Sequence, residues 1–201
     1  EDIFFEAIYG STEAEPIAMC TFEDISNRLN KPLKGVYVGT PIEDIQIKII
    51  TIKDGPIDAQ YFQDHELPAG EIGEVVVTGA HVNKSYYKNP AAFEKAKIVD
   101  SNQTTWHRTG DIGYFADNKM YLVGRDHRVY RFQNKKIYPY PIEQYIEQVF
   151  GCRDLGYVQQ KSGEFIMYIG QKEKIDTKKV KAKIIDAGYP CNEVVMWKEA
   201  L

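Results

Sequence analysis

The stretch from Trp106 to Arg125, WHRTGDIGYFADNKMYLVGR, constrains the fold most, because it predicts a β-hairpin with polar chemistry at both ends. The dipeptide Asp117-Asn118 separates two runs rich in aromatic and apolar residues and predicts the hairpin turn. Asp111 stands at one predicted turn before the hairpin, and Arg125 stands at a second turn after it. A carboxylate accepts hydrogen bonds from ribose hydroxyls, and arginine donates to ribose or phosphate oxygens. The pair is therefore a candidate nucleotide grip, and a structural RTGD turn capped by its own Asp is the alternative.

A second candidate site is the run YGSTE, residues 9–13. Tyr9 offers an aromatic face on which a base stacks. Glu13 is suited to Mg²⁺, a cation that takes carboxylate oxygens and bridges phosphates. Backbone N–H and hydroxyl groups suited to a phosphate oxygen come from the residues between them, Gly10, Ser11 and Thr12. Turns of this composition are also common in ordinary loops, so the run gains meaning only from its neighbours.

The pattern of the chain predicts an α+β protein with two parts. Ile3 to Ile8 predicts a buried strand ending in the YGSTE turn, and strand signals punctuated by Gly, Pro and Asp continue to Gly124. Strands at this density predict a small β-barrel-like subdomain or a curled sheet. The second part predicts a small α+β domain, with helices over 141–149 and from Asp176 or Thr177 to Gly188, and strands over 155–159, 164–169 and 193–197.

The charge distribution places the boundary between the two parts near Arg125. Residues 1–124 carry 19 acids and 11 bases, whereas residues 125–201 carry 10 acids and 14 bases, so the net charge changes from −8 to +4. Aromatic residues make up 12% of the chain, which excludes a disordered protein. Three scattered cysteines, no signal-peptide pattern and no apolar run of ~20 residues predict a cytoplasmic protein without a membrane span. The four histidines show no zinc-ligand spacing.

Four segments follow one another in a characteristic order: YGSTE, then GEIGEVVVTG (70–79) with SYYKNP (85–90), then WHRTGD (106–111), then GRDHRV (124–129). This order resembles the second half of the adenylate-forming superfamily, which includes acyl-CoA synthetases, nonribosomal-peptide adenylation domains and luciferases. The wording YYKNPAAFEKAKI, WHRTGDIGYF and GRDHRV is most similar to fatty-acyl-CoA synthetases and olefin β-lactone synthetases. The resemblance implies that residues 1–124 are the C-terminal part of the adenylation N-domain. Residues 125–201 would then be a small mobile lid domain.

The resemblance also implies a chemistry, in which a carboxylate attacks the α-phosphate of ATP in the presence of Mg²⁺ to form acyl-AMP. By matching positions, Thr12 would meet the α-phosphate and Glu13 would bind Mg²⁺, and these are the expected catalytic residues. The expected nucleotide-binding residues are Tyr9, Gly10, Ser11, Thr12, Asp111 and Arg125. Asp126 and His127 would form the hinge. The implied activity is an AMP-forming acid–thiol ligase of fatty acid metabolism, with a carboxylic acid as substrate.

Two departures from the family pattern bear on the acyl acceptor. His127 stands where an Asp is usual, and olefin β-lactone synthetases share this His-Arg-Val wording. Asn134 stands where many relatives have a Gly that lets the backbone approach a pantetheine arm. Asn tolerates the left-handed region but retains a side chain, so CoA is in doubt as the acceptor. CoA, an acyl carrier protein and an intramolecular hydroxyl remain open, and so does the acyl substrate.

The 201 residues contain neither the family's Ser/Thr/Gly-Lys phosphate loop nor its PxxxxGK lysine loop. We therefore expect a fragment, truncated before the lysine loop and inactive by itself. Two other classes of function stay open. A non-catalytic module that docks a carrier protein is one, and a nucleic-acid binder using the interleaved basic and aromatic residues 128–136 is the other. The net charge of −4 argues against nucleic acid as a partner.

Overall fold

The computed structural model describes residues 5–27, 34–170 and 175–197. They divide into two compact units. The described part of the first comprises residues 5–27 and 37–126, and that of the second comprises residues 34–36, 127–170 and 175–197. Strands are mostly antiparallel and helices are short, so the predicted α+β class is confirmed. Within the described residues, no helix is long and apolar enough to cross a membrane.

The first unit is built on one sheet with the strand order β1-β2-β3-β8-β7-β5-β4, and β6 pairs with β7. In chain order the elements are β1 (Glu6–Ser11), β2 (Ala14–Thr21), α1 (Phe22–Ser26), β3 (Val36–Pro41), β4 (Ile45–Ile50), α2 (Ala59–Asp64), β5 (Gly73–Gly79), α3 (Pro90–Ala96), β6 (Lys97–Val99), β7 (Thr105–Ala116) and β8 (Lys119–Arg125). The sheet is open among the described residues, with β1 and β4 at its ends, so the barrel-like detail is not confirmed.

The predicted strand at the start of the chain exists as β1, but its expected burial is wrong. Phe5 is 66% exposed and Ile8 is 54% exposed. Among the described residues the strand lies at the edge of the sheet and pairs only with β2, so much of its surface is uncovered. Ile3 and Phe4 lie outside the described residues.

The hairpin predicted at Asp117-Asn118 is confirmed as the turn between β7 and β8. Both turn residues have positive φ, 52° and 57°, which is the backbone of the tight hairpin turns that match the twist of the strands. Asn and Asp reach this left-handed region more readily than other residues with a side chain, which explains the sequence at this point.

The second unit follows a 3₁₀ turn at Asp126–Arg128 and contains β9 (Tyr130–Phe132), β10 (Lys135–Ile137), α4 (Pro139–Phe150), β11 (Leu155–Gln159), β12 (Phe165–Gly170), α5 (Thr177–Asp186) and β13 (Glu193–Trp197). The predicted helices and strands are confirmed, and the sheet is mixed because β13 runs parallel to β12. Helix α4 ends at Gly151, whose φ of 63° is the usual left-handed helix stop. The core packs Ile142, Ile146, Val180 and Ile184 of the helices against the sheet.

Candidate nucleotide-binding site

Asp111 and Arg125 form a cross-strand pair at the open end of the β7–β8 hairpin. The Arg125 Nη1 donates a hydrogen bond of 2.7 Å to the Asp111 Oδ1. The prediction that both residues stand at turns is wrong, because both lie in strands. The register shift between Ile112 and Gly113 is a bulge that brings Asp111 directly opposite Arg125. The expected proximity of the two charged groups is therefore present, through strand pairing.

Tyr9 joins the YGSTE run to this pair. Its hydroxyl donates a 2.7 Å hydrogen bond to the Oδ2 of Asp111 across 102 residues of sequence. Burial and the negative charge of Asp111 raise the pKa of Tyr9 well above its ordinary value of 10.0, so the phenol keeps its proton and remains a donor. An ionised carboxylate has about four acceptor sites, and these two bonds occupy two of them. Asp111 therefore retains acceptor capacity for a ligand hydroxyl.

The backbone around Asp111 is fixed by its neighbours in the RTGD run. The Thr109 hydroxyl donates to the carbonyl of Val75 at 2.9 Å and accepts from the backbone N–H of Asp111 at 3.0 Å. Gly110 has a φ of +71°, a conformation that favours glycine. These features aim the Asp111 carboxylate at Tyr9 and Arg125 instead of at a turn of its own.

The YGSTE run forms the tight turn between β1 and β2. Ser11 pairs with Ala14, which leaves Thr12 and Glu13 at the tip. Thr12 is exposed, as a group that meets a phosphate must be. Gly10 has no room for a side chain, since a Cβ there would lie 2.8 Å from the Ala14 carbonyl oxygen. The close approach of the Ala14 backbone therefore favours glycine at position 10 of this turn.

Ser11 carries an unsatisfied polar atom at this turn. Among the described residues, its Oγ is buried and has no hydrogen-bond partner. An orphaned buried hydroxyl costs free energy and calls for an explanation. A phosphate oxygen beside the turn would supply the missing partner, so the residues present fit a bound nucleotide.

Glu13 is held from both its backbone and its side chain. The Asn83 N–H donates to the Glu13 carbonyl oxygen at 2.7 Å, and the Tyr86 hydroxyl donates to its Oε1 at 3.0 Å. Burial opposes ionisation, but the Tyr86 bond and the nearby positive groups hold the pKa of Glu13 below its ordinary value of 4.5. Glu13 is therefore an ionised carboxylate in a fixed position.

No group of three or more His, Cys, Asp or Glu residues that could hold a metal occurs in the described part of the chain. Mg²⁺ is commonly bound through one or two carboxylates together with substrate phosphates. A single ordered carboxylate beside a turn that suits phosphate fits that mode of binding. Glu13 would hold the metal in such a site, with the nucleotide supplying the other anionic oxygens.

A buried ion pair that was not predicted from the sequence organises the same strand. Arg108 and Glu74, whose side chains are 8% and 1% exposed, form a bidentate pair with distances of 2.9 and 2.7 Å. The remaining donors of Arg108 bind the backbone carbonyls of Lys53, Gly55 and Lys95. Arg108 thus links the loop between β4 and α2, and the end of helix α3, to β7. The clue in the sequence was an Arg inside one motif and a Glu inside another, both among apolar strand residues.

The residues expected at the hinge, Asp126 and His127, lie in the 3₁₀ turn between β8 and β9. Asn134 and Gln133 form the two-residue turn between β9 and β10, with φ angles of 63° and 46°. Asn134 therefore occupies the left-handed region, which asparagine tolerates. The hinge roles of Asp126 and His127 remain predictions.

The basic and aromatic run 128–136 does not present a free cationic surface at its first residue. The Arg128 Nη2 donates to the Glu143 Oε1 at 2.6 Å and to the Tyr157 carbonyl at 3.2 Å. Tyr130 packs edge-on against Phe165 in the core of the second unit. These intramolecular contacts explain the run as part of the fold and weaken the nucleic-acid alternative.

No family model matches the chain, but several known proteins are similar to it in sequence. An olefin β-lactone synthetase of Stenotrophomonas maltophilia is 33% identical over 131 residues, covering 62% of the chain and 24% of that protein. The acyl-CoA ligase sidI of Aspergillus fumigatus is 30% identical over 169 residues, covering 81% and 26%. The chain thus spans about a quarter of the length of these relatives.

A solved structure supports the fold. The O-succinylbenzoate coenzyme A synthetase of Bacillus subtilis, in complex with ATP and a magnesium ion, matches with a TM-score of 0.70. The match covers 96% of the chain and 38% of that protein at 21% sequence identity, so this likeness concerns the fold alone.

Proposed function

Because the chain belongs to the adenylate-forming superfamily, we propose that the protein carrying it activates a carboxylic acid as acyl-AMP, using ATP and Mg²⁺. The acyl group then passes to a thiol or another acceptor. The chain spans about a quarter of its relatives, so the proposal concerns the intact protein. A fatty or other apolar acid is the proposed substrate, and a cytoplasmic location agrees with three cysteines that form no disulfide.

The observation that carries the proposal is the Tyr9–Asp111–Arg125 constellation. Two hydrogen bonds of 2.7 Å link three separate motifs of the sequence through a single carboxylate. A structural RTGD turn would need no such convergence, because it would be capped locally. Convergence of an aromatic residue, a carboxylate and a guanidinium supports a site for the base, ribose and phosphate of a nucleotide.

In this proposal Tyr9 lies beside the base, Asp111 accepts the ribose hydroxyls, and Arg125 donates to a ribose or phosphate oxygen. Gly10, Ser11 and Thr12 face the α-phosphate. Glu13 would hold Mg²⁺, and a metal bound there would supply neutralisation of the charge on the phosphate. Neutralisation and positioning carry most of the catalysis in such a reaction, and proton transfer contributes little.

The direct test is acid-dependent exchange of labelled pyrophosphate into ATP by the intact protein, with a panel of carboxylic acids. We expect exchange with at least one apolar acid and its loss in Glu13→Gln, which keeps the shape of the side chain but removes its charge. Glu71→Gln is the matched control, since Glu71 is exposed in the loop before β5 and its backbone N–H bonds the Pro68 carbonyl, away from the YGSTE run in the sequence. Absence of exchange with every acid would refute the proposal.

A second candidate differs in the acceptor. Two of the relatives are named olefin β-lactone synthetases, and Asn134 occupies the turn where a glycine would favour a pantetheine arm. A β-lactone forms when the C3 hydroxyl of an acyl-AMP attacks C1 and AMP leaves, with the hydroxyl proton released. Release of AMP from a 3-hydroxy acid without CoA would favour this reaction. Dependence of AMP release on CoA or on a carrier protein would favour a thioester.

We also propose that residues 125–201 form the mobile lid domain of this enzyme, with Asp126 and His127 at the hinge. The change of net charge near Arg125 and the change from strand-dense to α+β patterning support this assignment. Domain motion about a few residues at the end of an element is a common device for closing an active site.

A further inference from the structure

Lys97 is a buried cation that the proposed chemistry leaves without a role. It begins β6 and is only 3% exposed. Its Nζ donates a hydrogen bond of 2.5 Å to the carbonyl oxygen of Asn83. The same Nζ lies 5.2 Å from the centroid of the Tyr86 ring, a distance at which the ring attracts a cation.

Both residues that Lys97 contacts also hold Glu13. Asn83 donates its N–H to the Glu13 carbonyl oxygen, and Tyr86 donates its hydroxyl to the Glu13 carboxylate. The backbone and the side chain of Glu13 are thus fixed by two residues that share one cation. The Lys97 ammonium therefore contacts both residues that hold Glu13.

The cost of burying this charge argues that its presence has a purpose. A buried ammonium with a single hydrogen bond is less favourable than an apolar side chain of similar size. Burial lowers the pKa of Lys97 to about 8, while the nearby Glu13 charge acts in the opposite direction. The groups facing it are Glu13, the exposed Lys84 and, opposite it in strand register, His107.

We propose that Lys97 is a positioning residue for Glu13, acting through the Asn83 carbonyl and the Tyr86 ring to fix the carboxylate where it binds the metal of a metal–nucleotide complex. This inference rests on the proposed function. Lys97 itself touches neither metal nor nucleotide in this role. Metal ligands are commonly oriented by such outer partners, whose loss costs about 10–100-fold in metal affinity or activity.

Lys48 provides a matched control within the same unit. Its Nζ lies 5.2 and 5.3 Å from the ring centroids of Phe62 and Trp106 and forms a 2.7 Å ion pair with Glu66. It is therefore another lysine over aromatic rings, but Glu13 is not among its contacts. Lys48→Met removes a comparable cation without affecting the proposed network.

The test measures binding of Mn²⁺, a spectroscopic substitute for Mg²⁺, to the intact protein saturated with a non-hydrolysable ATP analogue, by electron paramagnetic resonance. We expect Lys97→Met to weaken Mn²⁺ affinity about tenfold, whereas Lys48→Met changes it less than twofold. Lys97→Arg, which keeps the charge and donors, should recover most of the loss. Equal affinities in Lys97→Met and Lys48→Met would overturn the inference.

A second variant covers the case in which Lys97→Met does not fold. Tyr86→Phe removes only the hydroxyl that bonds Glu13 and keeps the ring beneath the cation. It should also weaken Mn²⁺ binding. Where Lys97→Met folds, the double variant should lose little more than either single variant, because both act on one carboxylate. Unchanged Mn²⁺ affinity in Tyr86→Phe, or fully additive losses, would refute the role of Lys97.

Failure of acid activation and failure of the Lys97 role give different results in these experiments. Wild-type protein that binds Mn²⁺ with the nucleotide analogue but exchanges pyrophosphate with no acid would refute acid activation, and the Lys97 variants would still report on Glu13. Protein that exchanges pyrophosphate, with normal Mn²⁺ affinity in Lys97→Met and Tyr86→Phe, would refute the positioning role alone. Wild-type protein that binds no Mn²⁺ with the analogue would contradict both.

Discussion

Asp111 and Arg125 face each other across adjacent strands, with 2.7 Å between the Arg125 Nη1 and the Asp111 Oδ1. Their side chains differ in exposure, at 7% for Asp111 and 43% for Arg125. The carboxylate is held inside the sheet while the guanidinium extends toward solvent. Such an arrangement fixes the acceptor before a ligand arrives, which suits the proposed binding of ribose hydroxyls by Asp111.

Asp111→Ala should lower the affinity of the intact protein for AMP more than tenfold. A carboxylate that accepts ribose hydroxyls forms charge-assisted hydrogen bonds worth about 1.5–3 kcal/mol each, and 1.4 kcal/mol is a factor of ten. Calorimetric titration with AMP measures this directly. Asp117→Asn, at the exposed tip of the same hairpin, is the control and should bind normally. Normal affinity in Asp111→Ala would leave the RTGD run with a structural role only.

Gly113→Ala should disturb the site through the β7–β8 pairing. A Cβ at this position would lie 2.6 Å from the Tyr121 carbonyl oxygen and 3.1 Å from a methyl group of Leu122, so β8 must shift. We expect a loss of about 1–3 kcal/mol in the free energy of unfolding and weaker AMP binding.

Gly156→Ala is the matched control, because it also lies in a strand and a Cβ there would meet its nearest atom at 4.0 Å. Urea unfolding of the two variants tests the difference. Equal stabilities would show that β8 moves freely and would remove the packing argument.

Arg108→Met should destabilise the chain by about 3–5 kcal/mol, because it leaves the Glu74 carboxylate buried without its partner. Replacing both residues, Arg108→Met with Glu74→Leu, should recover part of this loss, since no charge then remains buried. Urea unfolding of the single and double variants measures both terms. A single variant within 1 kcal/mol of wild type would mean that the pair is dispensable.

The sequence predicted those features that depend on neighbouring residues. The turn at Asp117-Asn118 could be predicted because its backbone suits these residue types, and helix α4 could be predicted from its apolar spacing and Gly151. Such signals need only a few consecutive positions. The same reasoning failed for the RTGD run, which lies within strand β7 where its register with β5 shifts, instead of forming the expected turn.

The contacts that complete the site could not be predicted because they join distant positions. Tyr9 and Asp111 are 102 residues apart, and Arg108 and Glu74 are 34 apart. In the sequence, Lys97 stands close to the charged residues Glu94 and Lys95, and nothing there marks it as buried. Lys97 pairs with His107 of β7, and its ammonium lies against Asn83 and Tyr86; spacing along the sequence does not reveal these contacts.

Asp100 should make stability depend on pH in the acid range. Its carboxylate accepts from the Trp106 indole N–H and from the backbone N–H groups of Asn102 and Thr104, each at 2.9 Å. These bonds, led by that of Trp106, hold its pKa below the ordinary value of 3.8. The stabilisation is therefore present above about pH 4 and is lost as the pH falls through the lowered pKa of the folded state.

Asp100→Asn should cost about 1 kcal/mol at pH 7, and the difference from wild type should shrink as the pH is lowered from 5 to 3. Urea unfolding at several pH values in this window measures the trend. Asp64→Asn, in the last turn of α2, controls for the general loss of negative charge. A difference that stays constant with pH would show that the charge on Asp100 is not what stabilises the loop.

Limited proteolysis should reveal the proposed hinge. If Asp126 and His127 form a mobile link, trypsin should cut first after Arg125 or Arg128 and release two pieces that resist further digestion, because the backbone on either side is held in strands or helices. Mass spectrometry of the earliest products identifies the bonds. Lys119, next to the tight turn between β7 and β8, is the internal control and should be cut more slowly. First cleavage at Lys119, or equal resistance at all three residues, would contradict a hinge at this position.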